Sequence, residues 1–161
     1  MRLPPFAFAG EDGLLRARSF LKEYFEKSSG YDNSLKHMEL ESVAPESLRF
    51  RIEVLPSLCN GGKTLHGGAS ATLVDMLTSV HLIAVCGKPG VSTDLSLQYL
   101  SAAPLNSTVH CITSVDKIGK TLAFTSLQIK DSMTGKLIAK GSHTKFMGKS
   151  ERLPTSIQRE L

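Results

Sequence analysis

Asp75 is a single carboxylate in a long apolar stretch, and it is the first residue of this chain that points to chemistry. Across residues 68–87 it is the one Asp, Glu, Lys or Arg. A carboxylate in apolar surroundings is costly unless it is hydrogen-bonded, paired or neutralised. We therefore predict that Asp75 is a general base or a nucleophile. The alternative is a structural aspartate that accepts hydrogen bonds from Thr72 or Ser79.

A His-Gly-Gly turn, His66 to Gly68, begins the segment that carries Asp75. The N-terminus of a helix has unpaired N–H groups and the positive end of the helix dipole. Glycine at that position lets a ligand approach the backbone closely. The turn therefore predicts a site for a negatively charged or carbonyl oxygen. Small neighbours of Asp75 on the helix, Thr72 among them, leave room there for water and substrate.

The elements that position these residues follow from the hydrophobic periodicity. Helical spacing predicts a first helix over residues 13–27 and a second, apolar nearly all round, from the His-Gly-Gly turn to about residue 86. Short connections between strands imply antiparallel neighbours. We predict an α+β fold in which an antiparallel sheet of about six strands curls around one central helix, with an extra N-terminal helix. The period-two alternation that marks strands covers residues 37–41, 48–54, 91–100, 108–115, 121–130 and 135–146.

The fifth predicted strand alternates less regularly than the others. Leu122 and Phe124 fall on one phase, and Leu127 and Ile129 fall on the other. This pattern predicts either a bulge or a strand that is buried on both faces.

Composition and charge exclude several classes of function. The chain has 161 residues, a net charge of +4 and scattered basic residues, so nucleic acid is not an expected partner. Three widely spaced cysteines predict free thiols and a reducing compartment. With no secretory signal pattern, we expect an intracellular protein, cytoplasmic or mitochondrial. The apolar run that contains Asp75 and His81 predicts a helix buried in protein, not a membrane span.

Taken together, these motifs resemble those of the hotdog-fold acyl-CoA thioesterases, of the thioesterase superfamily member 2 and phenylacetate-pathway type. The resemblance covers residues 35–147, which implies a hotdog domain there, preceded by an N-terminal helix and loop at 1–34 and followed by a polar tail at 148–161. The matching segments are Asn60, Leu65-His66-Gly67-Gly68, Asp75, Gly90-Val91-Ser92-Thr93-Asp94, residues 119–125 and residues 134–141.

The resemblance implies hydrolysis of acyl-CoA thioesters without a metal or cofactor. It implies that the Gly67 N–H binds the thioester carbonyl oxygen and that Asp75 activates water or attacks the carbonyl directly. It further implies site roles for Asn60, His66 and Ser92, with Gly68, Thr72 and Thr93 in contact with substrate. The family builds each site across a homodimer, usually within a homotetramer.

Each of these residues also has a structural interpretation. His66 is equally expected as a turn or capping residue, Asn60 as a loop residue before two glycines, and Ser92 as an outward-facing strand serine. The remaining histidines show no metal-ligand spacing and are predicted to be structural or solvated. Lys145, Lys149 and Arg152 are predicted on a solvated surface, with contact to CoA phosphates as the alternative. The histidines that show no metal-ligand spacing are His37, His81, His110 and His143.

Two other functions are compatible with the sequence. An enoyl-CoA hydratase or dehydratase of the same fold also places a histidine near a carboxylate, and there the histidine transfers the proton. A non-catalytic acyl-CoA-binding protein would bind the thioester without releasing a thiol. The sequence leaves open the acyl chain length or aryl preference, the compartment and the residues that bind the CoA phosphates.

Overall fold

The structure is a computed structural model that describes residues 11–27, 30–44, 46–86 and 90–148. Its elements follow the predicted order, and their bounds agree with the prediction to within a few residues. The two helices are α1 (Glu11–Lys27) and α2 (Gly67–Cys86), and the six strands are β1 (Glu39–Ala44), β2 (Ser47–Glu53), β3 (Val91–Tyr99), β4 (Thr108–Ile118), β5 (Leu122–Asp131) and β6 (Leu137–Phe146). Short 3-10 turns lie at Tyr31–Leu35 and Pro56–Leu58. Apart from Gly148, the predicted tail at 148–161 lies outside the described residues.

One antiparallel sheet contains all six strands in the order β1-β2-β4-β5-β6-β3. The chain leaves α2 and enters β3 at the far edge, so β3 pairs only with β6 among the described strands. The sheet wraps α2, which confirms the predicted hotdog fold. At the opposite edge α1 packs on β1, where Arg18 Nε donates to the Leu40 carbonyl oxygen over 3.0 Å.

The core lies between the inner face of the sheet and α2. Half of the residues of α2 are buried, and Leu73, Val74 and Leu77 are fully enclosed. Within the described part of the chain, α2 is the one helix that is long and apolar enough to span a membrane, and 56% of its most apolar stretch is buried. That burial accounts for its composition, because a helix enclosed by a sheet needs apolar residues on most sides.

The prediction for the fifth strand was wrong. β5 has no extra residue of its own and is not buried on both faces, because Ala123, Thr125 and Leu127 point inward at regular spacing. Both of its pairings do contain a register shift, but the extra residues, Asp116 and Ile138, lie on β4 and β6. Leu122 and Phe124 instead lie on the outer face, where 36% and 40% of their surface is exposed. Because β5 has apolar residues on both faces, its sequence alternation does not show which face is turned toward the core.

His81 is a buried histidine that makes the stability of the fold depend on pH. Its side chain is 1% exposed, Nδ1 lies 2.9 Å from Thr113 Oγ1, and Nε2 has no partner within the described residues. Burial lowers the pKa of His81 from 6.5 to about 4. Between pH 6.5 and about pH 4, His81 is protonated in the unfolded chain but neutral in the folded chain. The free energy of unfolding therefore falls as the pH falls through this window.

We expect the His81→Leu variant to lose this part of the pH dependence. In the wild type the His81 contribution is fully present above pH 6.5, and about 2 kcal/mol of it is lost by pH 5. Urea unfolding at pH 8 and pH 5, at one protein concentration, measures the difference. If both proteins lose the same stability between these pH values, His81 is not the group responsible.

Candidate active site

Asp75 lies two turns inside α2 with its carboxylate half in solvent. The side chain is 51% exposed, and Oδ1 is 3.3 Å from Ser92 Oγ and 3.4 Å from His143 Nε2. The hydroxyls of Thr72 and Ser79 do not bind this carboxylate, because they donate to main-chain carbonyls of α2. The carboxylate therefore has two side-chain neighbours on the sheet, of which Ser92 can donate to it, and an open side toward solvent.

His143 reaches Asp75 from β6 and is fully buried. Thr78 Oγ1 donates to the Val74 carbonyl oxygen over 2.7 Å, so it accepts from His143 Nδ1 at 2.7 Å. Burial, and then the charge of Lys145, lower the pKa of His143, and Asp75 opposes them. A neutral ring with its proton on Nδ1 leaves Nε2 as an acceptor, so the one hydroxyl proton of Ser92 goes either to Nε2, 2.9 Å away, or to the Asp75 carboxylate, 3.3 Å away.

A bulge in β3 decides which hydroxyl faces Asp75. Ser92 lies opposite Lys145 and Asp94 lies opposite Thr144, so Thr93 is the extra residue. Thr93 Oγ1 donates to the Thr144 carbonyl oxygen over 3.0 Å and does not contact Asp75. The structure thus brings Ser92 to the carboxylate and turns the Thr93 hydroxyl toward the neighbouring strand β6.

Lys145 is not on a solvated surface, so that prediction was wrong. Its side chain is 5% exposed, and Nζ donates to Ser79 Oγ over 2.6 Å. Burial lowers the pKa of Lys145, and the charge of Asp75 opposes this effect. With so little exposed surface, its ammonium does not reach a phosphate in this conformation. Lys149 and Arg152 lie outside the described residues.

The start of α2 forms a second group of site residues. Gly68 N–H donates to His66 Nδ1 over 2.8 Å, so His66 caps the helix and, when neutral, carries its proton on Nε2. The neighbouring Gly67 N–H has no acceptor within the described residues. Tyr99 OH donates to the Gly67 carbonyl oxygen over 3.1 Å, which places an exposed aromatic ring beside this turn.

Asn60 stabilises the loop that leads into this turn. Its Oδ1 accepts from Gly62 N–H at 2.9 Å and from Thr64 N–H at 3.2 Å. The carboxamide is thus engaged by its own loop, as the structural interpretation expects. An ordered loop in turn holds His66, whose N–H donates to the Leu58 carbonyl oxygen over 2.8 Å.

Within one chain, the two groups lie more than two turns apart along α2. Eight residues of helix separate Gly67 from Asp75, which is about 12 Å along the axis. Thr72 lies between them and bonds Tyr31 OH at 2.7 Å. The structure places Asp75 within hydrogen-bond distance of Ser92. Separately, it brings His66, Gly67 and Gly68 together at the start of α2.

Three neighbours of these groups were not predicted from the sequence: His143, Lys145 and Tyr99. The signal that was available is strand alternation: His143 and Lys145 share the inward phase of β6 with Ala139. A histidine and a lysine on the buried side of a strand call for a partner, because buried charges are costly when unpaired.

The chain is similar in sequence and in structure to known thioesterases. The model of the thioesterase superfamily matches residues 62–138. Mouse acyl-coenzyme A thioesterase 13 is 41% identical over 132 residues, which cover 81% of this chain and 94% of that protein. The crystal structure of zebra fish thioesterase superfamily member 2 is 36% identical, with a TM-score of 0.79 and coverage of 84% of this chain and 98% of that chain. Mouse thioesterase superfamily member 2 is 39% identical, with a TM-score of 0.75 and coverage of 81% and 96%.

Proposed function

This chain belongs to the thioesterase superfamily, and from that premise we propose that it hydrolyses acyl-CoA thioesters to a free acid and CoA. The observation that carries the proposal is the similarity to mouse acyl-coenzyme A thioesterase 13 along 81% of the chain. The exposed Asp75 carboxylate, with Ser92 and His143 beside it, supplies the chemistry that hydrolysis needs.

Asp75 is the proposed general base. It takes a proton from a water molecule on its open side while that water attacks the thioester carbonyl carbon. Ser92 Oγ accepts from the water and donates its one proton to the carboxylate, and Nε2 of neutral His143 is the alternative acceptor for that proton. The carbon–sulfur bond then breaks, and the CoA thiolate leaves and takes up a proton.

Gly67 N–H is the proposed donor to the carbonyl oxygen. It lies at the positive end of the α2 dipole and is free of other acceptors in the described structure. His66 Nε2–H is a further donor at the same turn. A hydratase that used His66 as its base would need an unprotonated nitrogen facing the substrate, and the helix cap occupies Nδ1.

The site we propose is shared between two copies of the chain. Gly67 and Asp75 of one chain are about 12 Å apart along the axis of α2, so we place the carbonyl between Gly67 of one copy and Asp75 of the other. β3, nine residues long and mostly exposed, is an edge strand beside Asp75. Such an edge pairs readily with another strand, and two-fold pairing of β3 would make a homodimer.

Subunit complementation tests the shared site. Asp75→Asn and Gly67→Pro chains, each nearly inactive alone, are co-expressed with different tags, and the mixed dimer is purified. One of its two sites then combines an intact Asp75 with an intact Gly67, so we expect about half of the wild-type kcat per dimer. A mixed dimer as inactive as both parents would place each site within one chain.

Assembly of two dimers into a homotetramer is the finer form of this proposal. Val91, Phe146 and Leu122 form a cross-strand row on the outer face of the sheet and are partly exposed. An apolar row of this kind supports contact with another copy. Light scattering in solution would give four times the chain mass of 17.4 kDa for a tetramer.

An intracellular location, cytoplasmic or mitochondrial, stays a prediction from the sequence.

A thiol-release assay with the wild-type protein tests the function directly. Short, medium, long and aryl acyl-CoAs are compared, and enoyl-CoA hydration is followed in parallel. We expect thiol release from at least one class of acyl-CoA and no hydration. Tight calorimetric binding without thiol release from any class would instead show a non-catalytic binding protein.

A further inference from the structure

Two tyrosines with largely exposed rings lie beside the first two turns of α2. Tyr99 is the last residue of β3 and is 60% exposed, and Tyr31, in the 3-10 turn that follows α1, is 70% exposed. Single apolar residues on a surface are ordinary. Two aromatic rings at the start of one helix, beside the proposed carbonyl-binding turn, indicate a surface that contacts another molecule. The proposed mechanism uses neither ring.

The hydroxyls of both tyrosines bind α2. Tyr99 OH donates to the Gly67 carbonyl oxygen over 3.1 Å, and a Cβ at Gly67 would lie 3.4 Å from the ring, so the ring lies against this turn. Thr72 Oγ1 donates to the Gly68 carbonyl oxygen over 2.9 Å, so it accepts from Tyr31 OH at 2.7 Å. Each ring is thus fixed by its hydroxyl while most of its surface stays in solvent.

The two rings lie at different distances from the proposed donor to the carbonyl oxygen. Tyr99 adjoins Gly67, whereas Tyr31 is held at Thr72, five residues further along α2, which is about 7.5 Å along the axis. Because their hydroxyls are engaged by the protein, the rings offer a ligand apolar surface. Such a surface suits the methylenes of an acyl chain, and not the amides of the pantetheine arm or the phosphates of CoA.

We propose that Tyr99 and Tyr31 line the path of the acyl chain and determine which chain lengths the site accepts. This inference rests on the proposed function, in which the thioester carbonyl binds at Gly67 N–H. The chain leaves the carbonyl past Tyr99 and, when it is long enough, reaches Tyr31. Tyrosine rings supply a large contact area with few rotatable bonds, so little conformational entropy is lost when a chain packs on them. The segment at 1–34, before the predicted hotdog domain, thereby takes part in substrate selection.

The chain-length dependence of kcat/KM tests the inference. Loss of the cover over two methylenes lowers kcat/KM by about 10-fold. We expect a loss of this size in Tyr31→Ala with long-chain acyl-CoA, and a change within about two-fold with acetyl-CoA. Tyr99→Ala should lower kcat/KM for both substrates, because this ring adjoins the carbonyl-binding turn. Both rings are exposed, so alanine leaves no cavity in the core. Phenylalanine at either position keeps the ring and should recover most of the loss.

Fluorine NMR identifies the part of the substrate that the rings contact. The chain has three tyrosines and no tryptophan, so 3-fluorotyrosine gives three signals, which tyrosine-to-phenylalanine variants assign. Tyr24, on α1 and edge-on to Phe25, is the internal control. In the Asp75→Asn protein, which is expected to hydrolyse thioesters slowly, a medium-chain acyl-CoA should shift the Tyr31 and Tyr99 signals and leave the Tyr24 signal in place. CoA alone should not shift the Tyr31 signal.

Several outcomes would overturn the inference. These are equal losses with short and long acyl-CoA in Tyr31→Ala, or a Tyr31 signal that CoA alone shifts as far as acyl-CoA does. Signals that no acyl-CoA shifts would do the same, and if they change with protein concentration, a second copy of the chain covers the rings. Absence of thiol release from the wild-type protein would refute the proposed function, and shifts that require the acyl chain would then still show that the rings bind it.

Discussion

Asparagine in place of Asp75 is expected to lower kcat by about 10²–10⁴-fold, the range for loss of a general base. Asparagine has nearly the same shape and retains an oxygen that accepts from Ser92. The carboxylate is half exposed, so its loss leaves no buried cavity. We therefore expect an unchanged melting temperature and oligomeric state, with KM close to that of the wild type.

Asp116→Asn is the matched control for this change. Asp116 is an exposed aspartate on β4 that also accepts from a serine, Ser126 Oγ at 3.0 Å. It is remote in the chain from both groups of site residues, so thiol release should stay at the wild-type rate. Wild-type turnover by Asp75→Asn would contradict the proposed role of the carboxylate.

Label found in Asp75 after one turnover in labelled water would identify direct attack by this carboxylate instead of water activation. In a single turnover in H₂¹⁸O, general-base catalysis places the label in the product acid. Direct attack forms a mixed anhydride between Asp75 and the acyl group, whose hydrolysis at the enzyme carbonyl leaves the label on Asp75. Mass spectrometry of the product and of the peptide that contains Asp75 reads out both outcomes.

Proline in place of Gly67 is expected to lower kcat by about 10²–10³-fold, the cost of losing one oxyanion donor. Gly67 is the first residue of α2, and proline is well tolerated at this position because its N–H makes no helical hydrogen bond. The substitution therefore removes the proposed donor without removing any bond of the helix. His66, which precedes it, would be held in an extended conformation, as is usual for a capping residue.

Gly67→Ala separates loss of the N–H from the added side chain. A Cβ at this position would lie 3.4 Å from the Tyr99 ring, an ordinary contact distance. Alanine keeps the N–H, so we expect its kcat to stay within a few-fold of wild type. Equal losses in the alanine and proline variants would show that space at the turn, not the donor, limits catalysis.

Much of the fold was predictable because its signals are local. The alternation in β2 and β4 and the apolar character of α2 record which side of each element faces the core. The same periodicity gave a wrong prediction for β5, because Leu122 and Phe124 are apolar residues on its outer face. The prediction for Lys145 was wrong for a different reason. A lysine is usually solvated, and only its position on the inner face of the sheet shows that it is buried.

The sequence by itself determined the helix that begins at a Gly-Gly turn and carries one carboxylate, because both features depend on neighbours within a few turns. Only the tertiary structure decided what surrounds that carboxylate. β6 lies between β5 and β3, so its inward side chains His143 and Lys145 meet α2 at the turn of Asp75. The bulge at Thr93 sets Ser92, and not its neighbour, against the carboxylate. Strand order and register are long-range properties, set by how the whole sheet closes around the helix.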